Sequence, residues 1–360
     1  MTQLPPDADA PPVVADLVRR AEAAGASDIH LQTAADHSAQ VSFRLDGLLA
    51  PVGALPAGLA ERVFGRIKYL SRLQTWQGSM PQDGRIERVE LGSQNDLRVA
   101  TYPTVTGEKI VLRLFTQTTP PALTELGLPA DVLAELENFL RQPAGLLLLT
   151  GPAGSGKTTT IYACLRGLLA LGGRHIITVE DPVEQILPGV MQTEVNEARG
   201  LGYATAARHL LRQDPQVLVL GEIRDDETAA LAVRTALTGH QVISTLHAGS
   251  CRGVFERLFV MVPDRSAVAA AVSLVLNQRL LRRVCAACAG AGCAACLNTG
   301  YRGRLPVAEH VRFTDALRAA LREHGPTAIT PSGKHLTASA LALVAEKHTT
   351  EAELHRAIGN

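Results

Sequence analysis

Aromatic residues are scarce in this sequence of 360 residues, and neither sign of charge is in excess. Phe, Trp and Tyr make up 4% of the chain, and 35 Lys and Arg balance 35 Asp and Glu. A motor that binds single-stranded nucleic acid needs a basic groove with aromatic side chains on which bases stack. The composition therefore argues against this class, and no direct nucleic-acid binding is expected.

Long hydrophobic runs are also missing. The longest apolar run, residues 267–276, is half of the roughly 20 residues that a membrane-spanning helix needs. Residues 1–12 are acidic and rich in proline with no apolar core, which excludes a signal peptide and predicts a disordered lead-in. We therefore expect a cytoplasmic protein.

The remaining sequence divides into two parts with different secondary-structure patterns. Residues 13–116 alternate short strand patterns with helical patterns at residues 14–24 and 59–73, which predicts a small α+β domain with an antiparallel sheet. The segment at residues 117–122 contains two consecutive prolines and is predicted to be a linker. Residues 123–360 are predicted to form an α/β domain with a parallel sheet.

The second part opens with a helical pattern at residues 123–140 and continues with buried strands. Those strands are predicted at residues 146–150, 175–179, 217–220 and 242–246. The domain is also expected to include a cysteine-rich segment, residues 285–296, and C-terminal helices.

The most informative feature is the sequence GPAGSGKT at residues 151–158, which directly follows the first of these strands. Small residues let successive backbone N–H groups surround a triphosphate, while Lys157 reaches its β- and γ-phosphates and the Thr158 hydroxyl ligates Mg²⁺. The pattern predicts a site for ATP and Mg²⁺ formed by Gly151, Pro152, Ala153, Gly154, Ser155, Gly156, Lys157, Thr158 and Thr159.

Acidic residues and a histidine follow the later strands. Glu180 follows the second strand, Glu222 the third and His247 the fourth, and ligands bind at the carboxyl ends of strands in open α/β sheets. Glu222 occupies the Walker B position, where the usual aspartate is absent. The alternatives are a solvated acidic turn at Glu180, a helix-capping acidic segment after Glu222 and a structural polar residue at His247.

Several motifs together resemble the secretion ATPases, which drive type II secretion and type IV pilus assembly or retraction. In the second part they are GPAGSGKTTT at 151–160, ITVEDPVE at 177–184, GEIRD at 221–225 and LTGHQVISTLH at 237–247. In the first part they are ASDIHL at 26–31, FRLDG at 43–47, PQDGR at 81–85 and GEKIVLR at 107–113. The resemblance covers nearly the whole chain from about residue 16.

The resemblance implies a PAS-like N-terminal domain, a RecA-like ATPase domain, assembly into a homo-hexamer and a partner protein in the inner membrane. It also implies that Arg85, Arg98 and Arg113 fold over the bound nucleotide and neutralise charge on the γ-phosphoryl group. The alternative is that these are ordinary arginines on a sheet face. Because only about a dozen residues precede the first domain, a short form of the family is expected.

Four of the six cysteines form two C-x-x-C pairs, Cys285 with Cys288 and Cys293 with Cys296. In a cytoplasmic protein this pattern predicts a tetrahedral zinc site rather than disulfides. Cysteines are typical of the assembly and secretion branch of the family. Only four residues separate the pairs, fewer than is usual in the family, and this departure leaves zinc binding open.

The expected function is Mg²⁺-dependent ATP hydrolysis that powers type II secretion or type IV pilus assembly through domain closure. Glu180 and Glu222 divide water activation and Mg²⁺-water positioning between them, and either can be the base. His247 is expected to monitor the γ-phosphate. Three alternatives remain open: a pilus retraction or competence ATPase, a RecA-like nucleic-acid motor, and a regulatory subunit that binds ATP without hydrolysing it.

Overall fold

The computed structural model describes residues 7–114, 119–331 and 335–359. Its contacts divide the chain into two compact units. The first contains residues 1–118 and 282–303, and the second contains residues 119–281 and 304–360. Among the described residues, no helix combines the length and the apolar character needed to span a membrane.

The first unit is an antiparallel sheet with helices, as the alternating patterns predict. Its helices and strands are α1 (Ala10–Ala23), β1 (Asp28–Thr33), β2 (Ala39–Leu45), β3 (Leu48–Leu55), α2 (Ala57–Leu70), β4 (Gln82–Ile86), α3 (Arg88–Leu91), β5 (Leu97–Thr104) and β6 (Gly107–Leu114). The six strands lie in the order β3-β2-β1-β6-β5-β4, and every pair is antiparallel. Apolar faces of α1 and α2 share one core with the sheet, and Leu17, Ile67 and Phe43 are among its buried residues.

Helix α1 corrects part of the predicted lead-in. Residues 10–12 belong to the helix, so the prediction of disorder is wrong for them, while residues 1–6 lie outside the described part. Pro11 and Pro12 fall in the first turn, where the missing backbone N–H has no partner within the helix to lose. Residues 117 and 118 of the predicted linker are outside the described part, and residues 119–122 have no regular secondary structure.

The second unit is built on a seven-stranded sheet. Its helices and strands are α4 (Ala130–Arg141), β7 (Gly145–Thr150), α5 (Lys157–Leu171), β8 (Ile176–Glu180), β9 (Met191–Glu194), α6 (Tyr203–Leu210), β10 (Val217–Leu220), α7 (Asp226–Leu237), β11 (Gln241–Leu246), α8 (Cys251–Met261), α9 (Arg265–Ala271), β12 (Val272–Val284), β13 (Tyr301–Arg312), α10 (Asp315–His324), α11 (Leu336–Ala345) and α12 (Glu351–Ile358). The strand order is β13-β12-β7-β11-β10-β8-β9. Within the run β12-β7-β11-β10-β8-β9, each pair of adjacent strands is parallel.

Every residue of β7, β8, β10 and β11 is buried, because helices cover both faces of this part of the sheet. The α/β fold class and the four buried strands are therefore confirmed. The helix predicted at residues 123–140 is wrong in its first part. A 3-10 turn at Leu123–Glu125 precedes α4, and Gly127, with φ of +72°, and Pro129 interrupt the helix between them.

The cysteine-rich segment differs from the predicted assignment. The sequence places residues 285–296 in the second domain, whereas their contacts group residues 282–303 with the first unit. Leu297 packs against the core of the first unit, and the backbone N–H of Gly303 donates a hydrogen bond to Asp46 Oδ2 at 2.9 Å. These local contacts explain the grouping, and nothing in the sequence pattern indicated them.

Candidate nucleotide site

The phosphate loop lies between β7 and α5, as its sequence predicts. Gly151, Gly154 and Gly156 have φ values of +138°, +74° and +90°, which side chains with a Cβ atom rarely adopt. Helix α5 begins at Lys157 and is 15 residues long, so the positive end of its dipole meets the loop. This loop has the backbone conformation of an anion cradle.

Two observations in the loop fit a bound phosphate group. Lys157 is 9% exposed, and its Nζ donates to the backbone oxygens of Gly151 and Pro152 at 2.8 and 3.0 Å. Burial lowers the pKa of Lys157, and the carboxylate of Glu222 opposes this shift. The buried Ser155 Oγ has no hydrogen-bond partner among the described residues. The loop therefore presents a cation and an unsatisfied hydroxyl that an anion would engage.

The carboxyl ends of the four central strands bring the predicted residues of the second unit to one edge. A cleft of about 230 Å³ is lined by Lys157, Thr158, Glu180, Glu222 and His247, together with Ala153 and Gly154. The other predicted loop residues, Gly151, Pro152, Ser155, Gly156 and Thr159, build the loop and the first turn of α5 without lining this cleft. His240, which precedes β11, lies at the opposite end of that strand.

Glu180, the last residue of β8, is buried and held by three side chains. Tyr162 donates to its Oε2 at 2.5 Å, while Thr178 and Gln192 donate to its Oε1 at 2.5 and 3.0 Å. Burial, followed by the neighbouring carboxylate, raises the pKa of Tyr162. The alternative of a solvated acidic turn is wrong for Glu180, because the residue is 7% exposed and its carboxylate accepts three hydrogen bonds from side chains.

Glu222, just beyond β10, is held in a different way. Its Oε2 accepts a hydrogen bond from Arg224 Nε at 2.9 Å, and its Oε1 lies 3.2 Å from His247 Nε2. The side chain of Glu222 is 20% exposed. The following Asp225 caps α7 by accepting from the backbone N–H of Thr228 at 2.7 Å. The helix cap that was the alternative for this segment is therefore present, next to a carboxylate that lines the cleft.

The three predicted arginines lie in one row across the sheet of the first unit. Arg85 on β4 is directly opposite Arg98 on β5, which is directly opposite Arg113 on β6. Asp28 is the next residue of the row, on β1. All three arginines are exposed. Arg113 donates to Asp28 Oδ1 at 2.9 Å, and Arg85 donates to Asp96 Oδ2 at 2.5 Å.

The four predicted metal-ligating cysteines also converge. The Sγ atoms of Cys285, Cys288, Cys293 and Cys296 all lie within 4.8 Å of one another. Their nearest separations are 3.8 to 4.0 Å, close to the edge of about 3.8 Å expected for a tetrahedron with metal–sulfur bonds of about 2.3 Å. Disulfide sulfurs would lie about 2.05 Å apart, so the thiols are not bridged. The short spacing between the pairs does not prevent convergence.

Several residues at the site were not assigned a role from the sequence. Tyr162 follows Thr158 by one helical turn, a spacing that could have suggested it faces the same cleft. Gln278 on β12 lies beside the phosphate loop, where its Oε1 accepts from Thr160 Oγ1 at 2.9 Å. Gln192 carries no sequence signal at all. Arg224 belonged to a recognised motif, but its contacts required the fold.

A glycine-rich loop between a buried parallel strand and a helix, with acidic residues at the neighbouring strand ends, defines a P-loop nucleotide-binding protein of the RecA-like α/β class. The sequence matches the profile of the type II/IV secretion system protein family over residues 6–356. The chain belongs to this family, and the predicted resemblance is confirmed.

Individual relatives agree with this assignment. The chain is 43% identical to the type II secretion system protein HxcR of Pseudomonas aeruginosa, over 83% of this chain and 65% of that protein. It is 38% identical to the type IV pilus assembly ATPase PilB of Thermus thermophilus, over 86% of this chain and 38% of that protein. The chain thus spans less than two thirds of the length of these relatives.

Solved structures share the fold. The ATPase DotB of Legionella pneumophila matches with a TM-score of 0.78 at 22% identity, over 99% of this chain and 96% of that chain. The pilus retraction motor PilT, solved with bound ADP, matches with a TM-score of 0.64 at 25% identity, over 95% and 92% of the two chains. The two-part organisation, an α+β N-terminal domain followed by a RecA-like ATPase domain, is therefore confirmed.

Proposed function

We propose that this protein hydrolyses ATP with Mg²⁺ and powers a type II secretion or type IV pilus assembly machine. The observation that carries the proposal is the single cleft that collects Lys157, Thr158, Glu180, Glu222 and His247. Relatives at about 40% identity are named for type II secretion and pilus assembly, which favours these functions over retraction or competence.

The residues of the cleft suit different parts of the reaction. Lys157 and the backbone N–H groups of the loop would bind the phosphates, and the Thr158 hydroxyl would ligate Mg²⁺, which neutralises charge on the phosphate oxygens when bound. Glu180 and Glu222 would divide two tasks between them, activation of the attacking water and positioning of a water bound to Mg²⁺. His247 would sense the γ-phosphate through the imidazole that now faces Glu222.

We assign the arginine row Arg85, Arg98 and Arg113 to the triphosphate oxygens as well. Like charges directly opposite one another across a sheet are destabilising, and Arg98 has an arginine on each side. Such a row is suited to an anion that relieves the repulsion. Arg98→Gln is expected to lower kcat, measured as phosphate release, with a stable fold checked by thermal unfolding. The control Arg19→Gln, on α1 of the same unit, should change neither.

We further propose that the protein acts as a homo-hexamer at the cytoplasmic face of the inner membrane, where a membrane-embedded platform protein of the machine recruits it. Family membership supports this assembly, and the balanced charge and scarcity of aromatics favour a protein partner over nucleic acid. ATP-driven closure of the domains would transmit force to that partner.

Phosphate release from Mg²⁺-ATP, measured over a range of protein concentrations, tests the proposed function. Specific activity should rise with concentration, because completion of the sites between subunits would require assembly. Lys157→Ala should abolish turnover at every concentration. A flat, near-zero rate with intact ATP binding would overturn the proposal in favour of a regulatory subunit, and wild-type turnover in Lys157→Ala would remove the site assignment.

We propose that the four-cysteine cluster binds one Zn²⁺ ion per chain, since its sulfur separations match a tetrahedral thiolate site. Elemental analysis of protein purified without chelators should find one zinc per chain. A Cys285→Ser and Cys288→Ser double variant should lose it, while Cys164→Ala, which changes a buried cysteine outside the cluster, should retain it. Wild-type protein without zinc would contradict the proposal.

A further inference from the structure

Arg224 has no assigned role in the proposed reaction, yet it connects two strand ends of the cleft. Its Nε donates to Glu222 Oε2 at 2.9 Å, and its Nη1 donates to Asp181 Oδ2 at 3.1 Å. Asp181 follows β8, and Glu222 follows β10, the strand adjacent to β8. One guanidinium therefore links the acidic residues of two separate motifs.

The surroundings of Arg224 differ from those of an ordinary surface ion pair. The guanidinium carbon lies 5.8 Å from the ring centroid of Tyr203, within the range of a cation–π contact, and that tyrosine is 8% exposed. The hydrogen bond to Glu222 raises the pKa of Arg224, so the guanidinium stays charged. An exposed ion pair between one cation and one anion contributes little to folding stability. Here, however, one cation separates two carboxylates.

Both oxygens of Glu222 have a partner in this arrangement. Arg224 contacts Oε2, and His247 contacts Oε1. The two contacts fix the orientation of the carboxylate from two sides. His247 was already expected to act at the site, whereas Arg224 was not. Without the guanidinium, the carboxylates of Asp181 and Glu222 would repel each other with no cation bonded to both.

We propose that Arg224 is a positioning residue that holds Glu222 in its working orientation by bridging it to Asp181. This proposal rests on the ATP hydrolysis proposed above. Arg224 acts through Glu222, and its task needs the planar guanidinium with donors directed at two acceptors, which a lysine lacks.

The experiment compares Arg224→Gln, Asp181→Asn and the double variant, with Arg234→Gln, an exposed arginine on α7, as the control. Arg224→Gln is expected to lower kcat about tenfold or more, because Glu222 is misoriented, while the Kd of a fluorescent ATP analogue stays within about twofold. Adding Asp181→Asn should recover part of the lost kcat, because one of the two repelling charges is removed. The control should match the wild type.

Thermal unfolding of the nucleotide-free variants provides a second readout that is independent of turnover. Tm should fall in Arg224→Gln and recover in the double variant. Wild-type kcat in Arg224→Gln would overturn the proposal. So would a double variant whose kcat loss is the product, and whose Tm loss is the sum, of the losses in the two single variants. If the wild type hydrolyses no ATP, the proposed function fails, whereas the recovery of Tm still decides whether Arg224 separates these carboxylates.

Discussion

At the scale of single residues, Glu180 and Glu222 differ in how their carboxylates are hydrogen-bonded. Glu180 is buried and accepts three hydrogen bonds from side chains. Glu222 is more exposed and contacts one arginine and one histidine. A carboxylate with fewer donors keeps more capacity to accept a proton or a water molecule. This contrast favours Glu222 for direct work on the attacking water and Glu180 for holding the site together.

Replacement of Glu222 by Gln tests this assignment. The amide keeps the size of the side chain but accepts no proton at neutral pH, so kcat should fall about 100-fold or more. ATP binding, measured with a fluorescent analogue, should change little because the phosphate loop is intact. Glu256→Gln, at an exposed position on α8, is the matched control. Turnover at the wild-type rate in Glu222→Gln would contradict the role given to this residue.

The acid sensitivity of the first unit is expected to depend on Asp28. Burial opposes ionisation of this carboxyl, but hydrogen bonds from Ser27 and Arg113, with the charges of Arg113 and Arg44, outweigh it and lower its pKa below the usual 3.8. A lowered pKa in the folded state means that the stabilisation is present above pH 3.8 and is lost as the pH falls through the folded value.

Urea unfolding followed against pH measures this contribution. The wild-type midpoint should decline as the pH falls below about 4, and Asp28→Asn should flatten part of that decline because its side chain does not titrate. The control Asp83→Asn, at an exposed position on β4 of the same unit, should leave the pH dependence unchanged. Parallel curves for the wild type and Asp28→Asn would show that Asp28 carries no such effect.

At the scale of secondary-structure elements, β12 is the element that the sequence analysis missed and that shapes the phosphate loop. A Cβ atom added to Gly151 would lie 2.4 Å from the backbone oxygen of Gln278 on this strand. A Cβ atom added to Gly156 would lie 2.7 Å from the side-chain nitrogen of the same residue. Close packing of β12 against the loop, as well as the approach of a phosphate group, therefore requires glycine.

A comparison of two glycine variants separates these requirements. Gly151→Ala places its methyl group against backbone that cannot move aside, and it should abolish binding of a fluorescent ATP analogue. Gly154→Ala also has a positive φ, but nothing lies within 4 Å of the added Cβ atom. It should retain binding, with a cost of about 1 kcal/mol from the backbone alone. Equal losses of ATP-analogue binding in both variants would show that the positive φ, and not contact with β12, is the reason that glycine is needed.

At the scale of the whole molecule, charge and composition restrict the partners. Equal numbers of acidic and basic residues leave no net field to attract polyanions. Three arginines nevertheless form a local row across the sheet of the first unit. A local row of this kind can bind a small anion such as a nucleotide without a general affinity for nucleic acid.

Stimulation by DNA is the measurement that checks this inference. Addition of single-stranded or double-stranded DNA at physiological salt should leave the rate of ATP hydrolysis unchanged, because basic grooves with stacking aromatics are the usual basis for such stimulation. A variant that replaces exposed Trp76 by Ala should behave like the wild type in this assay. A rise in rate that depends on the length of DNA and disappears at high salt would instead indicate a nucleic-acid motor.

The sequence by itself determined the parts that depend on local pattern. Spacing of glycines and the adjoining apolar run located the phosphate loop, because its backbone conformation needs those residues in that order. Continuous apolar runs predicted the four buried strands, because a parallel sheet is covered on both faces. The tertiary structure decided which side chains meet. Arg224, Tyr162 and Gln278 come from separate elements, and the cysteine segment packs with the first unit, because contacts between distant residues depend on strand order and register rather than on local spacing.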